Sequence, residues 1–181
     1  MGADLAPRHL RRLDPPDHRP TAPRIERVST SSCGQTWILT GSLENFRVNV
    51  ERGFDVIGFK ERRRRQAEEF EPGDEVVFYV TGVLAFGAIA RVRSHMFEDR
   101  TPIWPPGKKD EAYPWRVEAE PVVVLAEDDL VAAAELAGEL DHVRKWPPEH
   151  WHLAFQGQLR TVGEADARLL RERIDAAAVA A

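Results

Sequence analysis

The sequence contains very little cysteine and no long apolar run. Cys33 is its single cysteine, which excludes an intrachain disulfide and a cysteine-rich zinc site. The longest apolar stretch, residues 80–90, is too short and too interrupted by glycine to cross a bilayer. No apolar core follows the first basic residues, so we expect no secretory signal. These absences favour a soluble protein of the reducing cytoplasm.

An excess of positive charge is also missing. The formal net charge is −5, from 25 Lys and Arg against 30 Asp and Glu. A protein of this balance that meets nucleic acid must use a local patch or a pocket. The apolar fraction of 43% in 181 residues is enough for one domain with a real core and an appendage.

Residues 1–34 are rich in proline and arginine and lack apolar periodicity. This composition predicts a flexible or weakly docked extension. It could act as a basic arm on a polyanion, but a solvated tail is the simpler interpretation. We therefore expect residues 35–181 to form the folded domain and to fold without residues 1–33.

The first apolar run of the domain is residues 37–39, and it stops at Thr40, Gly41 and Ser42. It is too short for a helix and predicts a buried strand that ends in a polar loop. We place Asn45 in that loop. Its amide carries a donor and an acceptor together, as recognition of the edge of a flat heterocycle requires.

A second strand is predicted at residues 55–57. It breaks at Gly58 and presents Phe59 and Lys60. Two strand ends that offer an amide, an aromatic ring and a cation can converge on one mouth. The pattern therefore suggests a pocket.

Residues 60–70 have strong helix propensity and include Arg62, Arg63, Arg64 and Arg65. Four consecutive arginines cannot all face one way on a helix. Their position directly after the proposed pocket makes phosphate contact credible. A solvated helix face explains the run equally well.

Residues 71–74 predict a type II turn that launches a strand at 75–80, followed by a neighbouring strand at 84–93. We expect Tyr79 to be a barrel residue with a satisfied hydroxyl. Residues 95–115 predict a long exposed loop that holds Trp104 among prolines. Trp104 either caps the core or offers a stacking platform for a ligand ring, and we favour the platform. On that interpretation Trp104→Ala leaves thermal stability almost unchanged.

The C-terminal part predicts a strand at 113–125, a helix at 127–143 and a strand at 150–160. His150 and His152 would share a face of that strand. Because no third ligand is in sight, we predict no metal site and no cofactor. Thr161 and Glu164 have the spacing of a capping box that opens a C-terminal helix.

Helices among mainly antiparallel strands favour an α+β, mainly β fold: a small β-barrel flanked by helices. An ordered set of residues resembles the EVE domain family, which is PUA-like and related to the YTH and ASCH domains. The resemblance covers residues 35–178. Its motifs are Trp37-Ile-Leu-Thr-Gly41, Asn45, Gly53, Gly58-Phe59, Pro72-Gly-Asp74, Val77-Phe-Tyr79, Gly87, Ile89-Ala-Arg-Val92 and Tyr113-Pro-Trp-Arg-Val117.

The resemblance implies an aromatic pocket that binds one flipped base of nucleic acid, often a modified one, in methylated or hydroxymethylated DNA or in modified RNA. It makes Phe59 and Trp104 the cage aromatics and Asn45 the amide at the base edge. Many relatives carry tryptophan at the position of Phe59, so the cage would be thinner here. The expected pocket residues are Thr40, Ser42, Asn45, Gly58, Phe59, Lys60 and Trp104. Residues of either pocket or core are Trp37, Tyr79, Trp115 and Arg116.

Two other classes of function stay open. ASCH relatives include amidohydrolases of acetylated cytidine, and Lys60 with Thr40 could imitate their catalytic groups. Alternatively, the extension and the arginine segment could bind a protein, as in an antitoxin or a regulatory subunit. The sequence favours a non-catalytic nucleic-acid-binding module over both.

Overall fold

The computed structural model of the chain describes residues 34–106 and 112–180. The predicted N-terminal extension and residues 107–111 of the long loop lie outside these ranges. The strands of the described residues are β1 (Thr36–Ser42), β2 (Val56–Phe59), β3 (Glu75–Thr81), β4 (Ala85–Val92), β5 (Phe97–Glu98), β6 (Trp115–Val124), β7 (Val131–Ala132) and β8 (Leu159–Val162).

Four α-helices accompany them: α1 (Leu43–Glu51), α2 (Arg64–Ala67), α3 (Ala133–Leu136) and α4 (Glu164–Ala180). Shorter 3₁₀ helices occupy Glu61–Arg63, Glu127–Asp129 and Pro148–Phe155. None of the helices in the described ranges is long and apolar enough to span a membrane.

The strands form one sheet in the order β2-β6-β4-β3-β1-β8, with β5 paired to β6 and β7 paired to β4. Only the β1–β3 pair is parallel among the described strands. The sheet curls into a half-barrel flanked by helices, which confirms the predicted α+β, mainly β, PUA-like fold.

The two faces of the sheet bury two apolar clusters, as the alternation of a strand requires. Along β3, Val76, Phe78 and Val80 join one cluster, which includes many of the aromatic side chains of the domain. Val77 and Tyr79 join the other cluster, which packs against α3 and α4.

The predicted turn at residues 71–74 is confirmed. Gly73 has φ +102°, as the third position of a type II turn requires, and the Asp74 amide donates to the Glu71 carbonyl at 3.0 Å. The buried carboxylate of Asp74 also accepts the indole N–H of Trp37 at 3.0 Å. Trp37 is therefore a core residue, not a pocket residue.

Two predictions for the C-terminal part were wrong. A helix does not fill residues 127–143: the chain forms a 3₁₀ turn, then β7, and only one turn of α-helix in α3. Residues 148–155 are 3₁₀-helical instead of extended, so the last strand begins only at Leu159. The C-terminal helix is confirmed, but it begins at Glu164, and Thr161 lies in β8 instead of capping it.

The edges of the half-barrel, β2 and β8, are bridged by Gln158, which is 7% exposed. Its side-chain oxygen accepts the Lys60 amide at 3.1 Å, and its side-chain nitrogen donates to the Gly58 carbonyl at 3.4 Å. Its own carbonyl accepts the amide of Thr40 in β1 at 2.8 Å. This side chain thus joins the end of β2 to the segment that precedes β8.

We expect Gln158→Ala to lower the free energy of unfolding by roughly 1–2 kcal/mol, because one good and one long hydrogen bond to buried backbone are lost. Urea denaturation measures the change. Gln156→Ala is the control, since Gln156 is exposed and lies two residues away. Equal stability of the two variants would mean that the amide bridge contributes nothing to closure.

Candidate functional site

A cavity of about 750 Å³ opens at one end of the half-barrel. Its walls come from the end of β1, the start of α1, the end of β2, the segment 104–106, Tyr113 and the segment 152–158. The structure brings together six of the seven predicted pocket residues there. They are Thr40, Ser42, Asn45, Gly58, Lys60 and Trp104.

Trp104 forms a wall of the cavity, and it is only 8% exposed. Its indole N–H donates to the buried Asn49 side-chain oxygen at 2.7 Å. Its ring covers Gly58 so closely that a β-carbon there would lie 2.2 Å from the ring. The Arg116 guanidinium lies 5.5 Å from the centre of the indole, within the range of a cation–π contact. Trp104 is therefore a packed wall residue instead of an exposed platform.

Asn45 lies on α1, not in a loop as predicted. Ser42 is the N-cap of this helix and accepts the Asn45 backbone N–H at 3.1 Å. The Asn45 amide donates to the hydroxyl of Tyr113 at 3.0 Å. The Tyr113 ring in turn lies 5.5 Å from the Trp104 ring, inclined at 60°. An amide and two aromatic rings thus share one wall.

Tyr113 and Asn49 are site residues that sequence reasoning missed. Tyr113 stands at the end of the long loop, directly before Pro114, and that position was the available signal. Asn49 gave no signal, because its role depends on a contact with Trp104 across 55 residues of chain.

Phe59 does not line the cavity, contrary to the prediction. It is fully buried, and its ring packs 4.9 Å from that of Phe70 in the core. The reason is the parity of the strand: β2 continues through Phe59, so Phe59 and Gly58 face opposite sides. Gly58 faces Trp104, and the second ring near Trp104 is that of Tyr113.

Tyr79 lines the cavity and also belongs to the core. Its ring stacks on Phe155 at 4.6 Å. Its hydroxyl is buried with no hydrogen-bond partner among the described residues, contrary to the predicted satisfied hydroxyl. Burial raises the pKa of this hydroxyl to about 12, because the phenolate loses its hydration.

The other two residues of uncertain role do not line this cavity. Trp115 is 6% exposed, and its indole N–H donates to the Glu61 carbonyl at 2.9 Å. Arg116 is buried and donates to Asp99 and to the carbonyls of Thr101 and Tyr113. It contacts two residues of the cavity wall, Trp104 through its ring and Tyr113 through its carbonyl.

Lys60 and Thr40, the candidate catalytic groups, both line the cavity, together with Glu44 and His152. The Thr40 hydroxyl donates to the Phe155 carbonyl at 3.1 Å. Its proton is therefore engaged with backbone, an arrangement that does not activate a nucleophile.

The arginine run is divided among different surroundings, as predicted. Arg62 lines the cavity and Arg63 is half-buried. Arg64 lies over the Trp115 ring at 4.8 Å and pairs with Glu68 at 2.9 Å. The segment forms a 3₁₀ turn and the single turn α2, a shorter helix than predicted.

His150 and His152 lie on a 3₁₀ helix instead of a strand, with ring centres 6.3 Å apart. Within the part of the chain that the structure describes, no group of three or more His, Cys, Asp or Glu side chains could hold a metal ion.

Comparison with solved structures defines the class of domain. The Mmi1 YTH domain is similar over 82% of this chain and 79% of its own, with 11% identity and a TM-score of 0.59. The YTH domain of Zygosaccharomyces rouxii MRB1 protein, in complex with N6-methyladenosine RNA, covers 78% and 86% with 15% identity and a TM-score of 0.56. A protein from Pseudomonas putida covers 76% and 98% with 14% identity and a TM-score of 0.52. At these identities the likeness establishes a YTH-like fold.

The family follows from the sequence itself. The model of the EVE domain matches residues 35–172, so the chain belongs to the EVE domain family, and the predicted resemblance is confirmed. A comparison with curated proteins finds no match.

Proposed function

We propose that this chain is a non-catalytic nucleic-acid-binding module that holds one flipped, modified base in its cavity. The observation that carries the proposal is the shared wall of Trp104, Tyr113 and Asn45 beside a space of about 750 Å³. Tyr113 and the part of Trp104 that lines the cavity supply aromatic contact surface for a base. The amide supplies the polar contact that gives the base its orientation.

The energetics favour a single strand as the ligand. Stacking on an aromatic side chain contributes roughly 1–3 kcal/mol per base. Extruding a base from a duplex costs a few kcal/mol, whereas extruding a base from a single strand costs much less. A cavity with one such wall can therefore hold a base from a single strand more easily than one from a duplex.

A modified base is the more specific part of the proposal. Solved YTH domains of similar fold are described in complex with N6-methyladenosine RNA and with m6A. Burying one methyl group adds only about 0.8 kcal/mol, so selection against the unmodified base must also use shape. Methylated or hydroxymethylated DNA and modified RNA are the candidate ligands.

Binding is a better proposal than catalysis because the Thr40 hydroxyl is engaged with the Phe155 carbonyl. A cavity with an amide in its wall favours binding of a base over the other alternative, a protein-interaction module. The amidohydrolase alternative predicts release of acetate from N4-acetylcytidine, which is measured on the same purified protein.

The test is a binding panel. Single-stranded DNA and RNA of matched sequence, each with one central base unmodified, methylated or hydroxymethylated, are titrated in fluorescence anisotropy. We expect one modified base to bind several-fold tighter than its unmodified counterpart. Equal affinity across the panel, or turnover of N4-acetylcytidine, would reject the proposal.

We expect Asn45→Ala to weaken binding of the preferred strand by about 1–3 kcal/mol and to relax base preference, because the base edge loses its polar partner. Val50→Ala is the matched control: Val50 lies on the same helix, is 43% exposed and does not line the cavity. Thermal unfolding of both variants checks that the fold is intact. If base preference is unchanged in Asn45→Ala, Asn45 does not contact the edge of the bound base.

A further inference from the structure

Arg116 lies in β6 directly opposite Gly58 of β2, and the Trp104 ring covers that glycine. Residues that face each other across two antiparallel strands project from the same side of the sheet. The Arg116 guanidinium accordingly lies beside the indole, 5.5 Å from its centre. A side chain at position 58 would occupy the space of the ring, so the glycine admits the tryptophan and the arginine flanks it.

The same guanidinium joins the two ends of the chain between β5 and β6. Its Nη1 donates to the Asp99 carboxylate at 2.5 Å, and its Nη2 donates to the Thr101 carbonyl. Its Nε donates to the Tyr113 carbonyl at 3.2 Å. All three nitrogens therefore hold the segments that carry Trp104 and Tyr113.

Asp99, the acidic partner, is itself fixed by the backbone. Its amide donates to the Pro114 carbonyl at 2.8 Å, and its Oδ1 accepts the Thr101 amide at 2.8 Å. The hydrogen bonds from Thr101, and then the charge of Arg116, lower the pKa of the Asp99 carboxyl. The carboxyl is therefore ionised at neutral pH, and the Arg116–Asp99 pair is an ion pair.

The pair does not reach the ligand space. Arg116 is 3% exposed, and neither Arg116 nor Asp99 lines the cavity. Stability alone is a weak explanation for the pair, because the desolvation of a buried charge offsets much of its attraction to a partner. Its contacts instead lead to the two aromatic residues of the cavity wall, Trp104 and Tyr113.

We propose that Arg116 is a positioning residue that sets the separation and tilt of the Trp104 and Tyr113 rings, and thereby determines how tightly the cavity holds a base. This inference rests on the proposed function. A guanidinium presents its donors in fixed directions in one plane, whereas a lysine ammonium is a compact point charge on a flexible stem. Lysine at this position keeps the charge but cannot hold both ends of the segment in the same geometry.

The experiment compares R116K with R171K. Arg171 forms an ion pair with Glu75 at 2.5 Å, is partly buried and does not line the cavity, so the same substitution there is a matched control. The probes are short fluorescein-labelled single strands, as RNA and as DNA, with one central N6-methyladenine or adenine. We expect R116K to weaken binding of the preferred strand about tenfold, as for loss of a stacking contact, and to reduce the preference between the two bases. R171K should bind like the unmutated protein.

Asp99→Asn tests the same positioning from the other side of the ion pair. The substitution removes a negative charge, which by itself strengthens binding to a polyanion. A direct electrostatic effect and the proposed positioning therefore have opposite signs. We expect Asp99→Asn to bind the preferred strand severalfold more weakly, and equal or tighter binding would contradict the proposal.

A measurement without ligand reports on the ring itself. The chain has five tryptophans, and labelling with 5-fluorotryptophan gives each a ¹⁹F NMR resonance that Trp104→Phe assigns to position 104 by its loss. R116K and Asp99→Asn should both shift the Trp104 resonance and leave that of Trp37, in the core, in place. A change limited to global stability would leave both resonances in place while the protein is folded.

The outcomes separate this inference from the proposed function. If R116K binds like R171K, or if the Trp104 resonance does not move, Arg116 does not position the wall, and the base cavity stands as long as base preference persists. If the unmutated protein shows no base preference, the proposed function is wrong. A shifted Trp104 resonance would then show that Arg116 orients the ring without serving a bound base, which overturns the proposal in its stated form.

Discussion

Replacing Trp104 with alanine will lower the free energy of unfolding by about 3–5 kcal/mol, the usual cost of truncating a buried large aromatic side chain. Three contacts disappear together: the hydrogen bond to Asn49 at 2.7 Å, the packing over Gly58 and the cation–π contact with Arg116. Asn49, which is 6% exposed, also loses its partner. The stability of Trp104→Ala, predicted from sequence to stay almost unchanged, must fall because the residue is packed.

Urea denaturation of the chain and of two control variants measures this effect. Trp104→Phe keeps an aromatic ring but removes the indole N–H and the outer part of the indole that covers Gly58. It should therefore lose more than the roughly 1–2 kcal/mol of a hydrogen bond, but less than Trp104→Ala. Phe97→Ala truncates an aromatic side chain in β5 that is 36% exposed and should cost less than either. A loss below about 1 kcal/mol in Trp104→Ala would instead support the interpretation of Trp104 as an exposed stacking platform.

Tyr79 will make the stability of the domain fall in alkaline solution. Its pKa is raised to about 12 in the folded state, against about 10 in an unfolded chain. The folded state then holds the proton more tightly, so its stabilisation is complete below about pH 10 and is lost as pH rises toward 12. The full loss is about 2–3 kcal/mol, since each pKa unit corresponds to about 1.4 kcal/mol.

The measurement compares the unmutated protein with Tyr79→Phe. Stability is measured by urea denaturation from about pH 9 to pH 11.5, where about 2 kcal/mol of the loss should be visible. Tyr79→Phe should flatten this decline. Parallel curves for the two proteins would show that Tyr79 ionises without a penalty from burial.

Local chemistry made the strands and the turn before β3 predictable. β3 and β4 are nearly continuous apolar runs of strand length, as strands buried on both faces require. The turn at 71–74 needs only proline and glycine at their positions. The prediction that Phe59 lines the cavity was wrong, although side chains alternate along β2 as along any strand. Extending β2 by two residues, from Ile57 to Phe59, moves Phe59 to the face opposite Gly58.

The helix predicted at 127–143 does not form because part of this segment pairs with β4 of the sheet. Residues Val131 and Ala132 pair with Phe86 and Ala85 of β4, and the Ala133 amide donates to the Leu84 carbonyl at 2.9 Å. An apolar stripe of helical spacing was present, but hydrogen bonds to β4 outweighed the high helix propensity of the alanine, leucine and glutamate residues in this segment.

The sequence by itself determined the family, the fold class and most of one cavity wall. Thr40 and Ser42 lie at the end of β1, Asn45 follows that strand, and Gly58 and Lys60 lie at the end of β2. Only the tertiary structure decided the partners that complete the site. Tyr113 meets Asn45 across 68 residues, Trp104 meets Asn49 across 55, and Gln158 reaches Gly58 across 100. Contacts at such separations depend on how the sheet curls, and neither period, propensity nor turn chemistry encodes them locally.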